Sequence, residues 1–101
     1  MFMDRAKIAR ITELDSMRTL TIFPINGQPY GKQIEDNDLS TMQKIVGGLI
    51  EAIYLDGIVI IVDEEGLCKG KPINKALTKI AGSPLVGDGF IMTMSDWEKD
   101  T

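Results

Sequence analysis

The sequence predicts a small α+β domain, built as a mostly antiparallel sheet with two or three helices packed on one side. Three observations carry this expectation. Two β-branched runs flank Asp56-Gly57, a dipeptide that favours a tight hairpin. Two other stretches, "NDLSTMQKIVGG" and "INKALTKIAG", each join a capping residue, helically spaced apolar residues and a terminal glycine. The chain has 101 residues, enough for one core and one domain.

Residues 1–16 read as a leader in which Ile8, Ile11 and Leu14 favour a short helix over a strand. The domain proper is expected over 17–101. It opens with an alternating strand, Thr19 to Phe23. "PINGQPYG" is turn chemistry, because Pro24 and Pro29 bar a helix and Asn26-Gly27 tolerates positive φ. Residues 31–35 return as a short second strand. Asn37 or Asp38 caps the next helix, whose apolar face is Leu39, Met42, Ile45 and Val46, and Gly47-Gly48 ends it. Strands follow over Leu49 to Leu55 and Ile58 to Val62. The second is apolar on both faces and belongs inside the sheet. Asn74 caps a further helix with Ala76, Leu77, Ile80 and Ala81 toward the core and Gly82 at its end. "SPLVGDG" is a loop, Phe90 to Met94 a last strand, and Ser95 the cap of a final turn holding Trp97.

Composition narrows the function classes. There is no histidine, which removes the commonest general base and zinc ligand and lowers the expectation of catalysis. No cofactor and no metal are expected. The net charge of −4 argues against nucleic acid as a partner. That charge is unevenly spread: residues 35–65 hold eight acids and one lysine, whereas 66–87 hold four lysines and no acid. The longest mainly apolar run, Ile58 to Val62, is too short to span a bilayer, which takes about 20 residues. The first ten residues offer no signal-peptide core, and one cysteine, Cys68, cannot form an intramolecular disulfide. A cytoplasmic location is therefore expected.

Several motifs occur together: Val46-Gly47-Gly48, Ile50-Glu51, Asp63-Glu64-Glu65-Gly66, Pro72-Ile73-Asn74 and Val86-Gly87-Asp88. In this order they resemble the domain-of-unknown-function family numbered 3846, over about residues 17–94. The resemblance implies a phage or mobile-element setting. It transfers no catalytic residue, because the family carries no assigned activity.

The candidate site is a basic corner. Gly70 to Asn74 lead into a helix whose first-turn amides and dipole favour an anion. Lys69, Lys71 and Lys75 supply charge, Asn74 and backbone amides supply donors, and Gly87 lets "SPLVGDG" come close. A capped helix with solvated lysines is the bland alternative. Asp63, Glu64 and Glu65 are expected as a solvated turn, since neighbours on a strand point to opposite faces. Glu51 lies on the same side of its strand as Leu49, Ile53 and Leu55, so it needs a partner, a proton or solvent. Cys68 has Lys69 beside it but no histidine or second cysteine to support a nucleophile.

The expected function is non-enzymatic binding in host modulation or counter-defence, by capture of a nucleotide-like anion or of a host protein. The competing classes are a metal-assisted hydrolase using Glu51 with Glu64 or Glu65, and a structural oligomer subunit. A homo-oligomer fits either binding or structural use.

Overall fold

The computed structural model describes residues 17–36 and 38–99; the leader expected over 1–16 lies outside them. The chain runs β1 (Met17–Phe23), β2 (Tyr30–Glu35), α1 (Leu39–Val46), β3 (Ile50–Tyr54), β4 (Ile58–Asp63), α2 (Lys75–Ala81), β5 (Gly89–Thr93) and α3 (Met94–Trp97). The strands form one sheet in the order β2-β1-β5-β4-β3, and every neighbouring pair is antiparallel. The α+β class and the antiparallel sheet are as the sequence predicts.

Local chemistry explains the elements. β1 buries Arg18, Leu20 and Ile22 and exposes Thr19 and Thr21, the two-residue period of a strand covered on one face. Asp38 caps α1 by accepting from the Thr41 amide, and Gly47 ends it at φ 82°, a left-handed conformation that costs glycine little. Leu39, expected in the apolar face of this helix, is its first residue and is 46% exposed. The β3–β4 hairpin closes through Asp56-Gly57, with the Leu55 amide donating to Ile58 O at 3.0 Å.

The helices do not share one side. Met42 and Val46 of α1 pack on Leu20, Ile22, Ile34, Val59, Ile61, Phe90 and Met92. Leu77 of α2 packs with Ile60, Val62 and Leu85, which lie on the opposite face. β4 is the reason. Val59 to Val62 are all buried, and a strand apolar on both faces needs cover on both. Gly89 permits the close approach of α2: a Cβ there would lie 2.6 Å from Leu77 Cδ1 and 2.8 Å from Ile61 O. Because α2 is short, only Leu77 is fully buried; Ala76 and Ile80, expected in the core, are exposed.

The last turn completes β1. β5 pairs with β1 only at Thr21 to Phe23. Below that, Asp96 of α3 accepts from the Thr19 amide at 3.0 Å, and Lys99 Nζ donates to Met17 O at 2.7 Å. Buried Arg18 donates to Lys99 O at 3.1 Å and to Asp36 Oδ1 at 3.2 Å. Thr93, rather than Ser95, caps α3, since its hydroxyl accepts from the Asp96 amide. No described helix is long and apolar enough to cross a membrane.

Candidate functional site

Asp63 ends β4, and its side chain is fully buried. A carboxylate taken from water costs several kcal/mol unless it is paired and hydrogen-bonded. Here it is both. Lys69 Nζ and Lys71 Nζ donate to Oδ2 at 2.8 and 2.7 Å, and the Glu65 amide donates to Oδ1 at 2.8 Å. Hydrogen bonds from Lys69 and then Lys71 hold the Asp63 carboxyl far below the usual carboxylate range, against the opposing effect of burial. Asp63 in turn raises the pKa of Lys69. Asp63 is thus a buried charge and not part of the solvated turn expected for residues 63–65. Glu64 and Glu65 are exposed, as a turn requires.

The same lysines finish α1. Lys71 Nζ donates to Val46 O at 2.6 Å and Lys69 Nζ to Gly47 O at 3.1 Å. Two cations therefore sit at the negative end of the helix dipole, on carbonyls left without helical partners. Gly48 makes room for them: a Cβ would stand 2.5 Å from Lys69 Nζ and 2.7 Å from Asp63 Oδ1.

Asn74 is the second keystone and is 2% exposed. Its Oδ1 accepts from the Leu77 amide at 3.1 Å, capping α2. Its Nδ2 donates to Phe23 O at 2.8 Å and Gly87 O at 3.0 Å. The "SPLVGDG" loop does reach this corner, through a bridge between Ile73 and Val86 and a bond from the Gly87 amide to Pro72 O at 2.9 Å.

The structure therefore brings Lys69, Lys71, Asn74 and Gly87 together and satisfies them internally. The two lysines hold Asp63, and Asn74 holds three backbone groups. Lys75 is exposed on α2 and borders a cavity of about 360 Å³ with Pro24, Asn26, Gly27 and Ile73. The motif residues Val46-Gly47-Gly48, Asp63, Pro72, Asn74 and Val86-Gly87, scattered along the chain, meet in this one corner. Every described buried side-chain nitrogen or oxygen has a hydrogen-bond partner.

Two other features lie outside that corner. Glu51 is exposed and shares a cleft of about 170 Å³ with Ile53, Glu64, Leu67, Pro84 and Leu85; Glu65 does not line it. Among the described residues, no three carboxylates or thiols gather as a metal site. Cys68 is exposed.

The second feature was not evident in the sequence. A groove of about 440 Å³ runs between β2 and α1, lined by Ile22, Tyr30, Lys32, Thr41, Lys44 and Ile45. Among the described residues neither Lys32 nor Lys44 forms an ion pair. Their field is felt at Asp38, whose pKa is lowered chiefly by hydrogen bonds from Thr41 and further by Lys44 and Lys32. These lysines lie on different elements, and each reads alone as a solvated charge.

No curated protein and no solved structure matches the chain. Residues 17–101 match the family described as Domain of unknown function (DUF3846), and the chain belongs to that family.

Proposed function

We propose that this protein is a non-enzymatic binding protein whose target is an acidic segment of another protein, held in the groove between β2 and α1. The observation that carries the reading is a contrast between two basic places. Lys69 and Lys71 are both paired with Asp63 and bonded to the end of α1, whereas Lys32 and Lys44 flank an open groove with an apolar floor of Ile22 and Ile45. Cations without an ion pair among the described residues, beside apolar surface and an exposed tyrosine, suit a carboxylate-rich chain with an occasional large apolar side chain. Host modulation or counter-defence is the proposed setting, following the mobile-element context that the resemblance implies.

A second reading has one observation in its favour. Glu51 and Glu64 line the same cleft, as a metal-assisted hydrolase using that pair requires. Product formation by the purified protein, lost on Glu51→Gln, would establish it and displace the binding reading.

The test compares two charge reversals of equal size on opposite faces of the sheet. Polypeptides captured from a cell extract by the immobilised protein are quantified for wild type, K32E/K44E and K75E/K79E. K32E/K44E is expected to weaken capture at least about tenfold, or about 1.4 kcal/mol, and K75E/K79E to leave it unchanged. Loss with K75E/K79E alone would return the site to the α2 corner. Equal loss with both would mean unspecific attraction.

A further inference from the structure

The sheet has two edges, and they are built differently. β2 at one end carries Lys32, Gln33 and Glu35 around Gly31, the charged composition that discourages strand addition. β3 at the other end reads Ile-Glu-Ala-Ile-Tyr, with Glu51 its sole charge. Leu49 and Tyr54 beside this edge are 53% and 59% exposed. Leu67, 78% exposed, shares a cleft with Glu51 and Ile53 and adds apolar surface there. No described strand lies beyond β3.

We infer that β3 pairs with β3 of a second copy of this chain, antiparallel about a twofold axis through Ala52, so that the sheets of two protomers become continuous. The backbone bonds decide which groups are available. Leu49 O accepts from the Glu64 amide at 2.8 Å, and the Leu55 amide donates to Ile58 O at 3.0 Å. Odd-numbered residues of this strand therefore turn their peptide groups to β4. By strand alternation, Ile50, Ala52 and Tyr54 turn theirs outward.

Three constraints then fix one register. A twofold perpendicular to the sheet keeps each face with its like, so even residues must oppose even and odd oppose odd. Centring on Glu51 would set two carboxylates directly opposite one another, which is unfavourable. Centring on Ile53 shortens the overlap of outward-facing groups. Centring on Ala52 places Ile50 against Tyr54 of the second copy and Ala52 against Ala52, with every outward N–H and C=O of Ile50, Ala52 and Tyr54 paired. It also sets Glu51 opposite Ile53, and makes a β-branched–aromatic pair on one face.

The test uses the full chain. Light scattering across a dilution series is expected to give twice the 11.1 kDa chain mass at high concentration. Ala52→Pro removes an amide that points away from β4, so it spares the internal ladder while blocking the pairing; it is expected to be a folded monomer. Hydrogen exchange on the wild type gives an answer independent of that variant. The amides of Ile50, Ala52 and Tyr54 are expected to gain protection with concentration, while the outward amides of β2 do not. A monomer at every concentration would overturn the inference, as would a dimer whose added protection falls elsewhere.

Discussion

Asp63→Asn is expected to lower the unfolding free energy by about 3 kcal/mol at pH 7, the lower end of the range for breaking a buried ion pair. The lower end applies because Lys69 and Lys71 keep 40% and 23% of their side-chain exposure and regain some hydration. Asparagine nearly matches the shape, so the loss is electrostatic. In either orientation its NH2 would face a donor, the Glu65 amide or the two ammonium groups, and both lysines would lose the anion that holds them at the end of α1. Chemical denaturation reads the result directly. A change within about 0.5 kcal/mol, as for an ordinary surface substitution, would mean that the pair adds nothing.

Asn74→Ala is the second large effect, with an expected loss of about 2–4 kcal/mol in the same measurement. The substitution deletes the cap on the Leu77 amide and strands the carbonyls of Phe23 and Gly87. Asn74→Asp separates these contributions. Aspartate is as good a helix cap as asparagine. If capping were the whole role, it would restore stability. Here it would put a carboxylate against two carbonyl oxygens, so a loss comparable to that of alanine is expected. Recovery to wild-type stability with aspartate would reduce Asn74 to a cap.

Most of the fold was legible because its signals are local. Asp38, Gly47, Gly82 and the capping oxygen of Asn74 act within their own turns, and Asp56-Gly57 sets its hairpin without distant help. What was not legible depends on tertiary placement. The distribution of helices over both faces follows from β4 being buried on both sides, a consequence that the apolar run contains but one-sided packing overlooks. The exposure of Ile80 follows from how short α2 is. The corner at residues 69–74 is legible as a place, yet its chemistry depends on Asp63 turning inward and on the end of α1 lying alongside. The spacing of Lys69 and Lys71 from Asp63 is the one signal the sequence offers for that pairing. The groove between Lys32 and Lys44 had no sequence signal, since only packing sets β2 beside α1.

The motifs scattered along the chain meet in one corner, where ionised Asp63 has the central role in holding the fold. The most direct test of that role is the unfolding free energy of wild type and Asp63→Asn measured from pH 7 down to pH 2. A carboxyl whose pKa is depressed in the folded state adds stability above its unfolded pKa of about 3.9, and that stability is lost as pH falls toward the folded value. The gap between the two proteins is therefore expected to be full at neutral pH and to narrow steadily below about pH 4. A gap that stays constant across that range, or none at pH 7, would contradict the account.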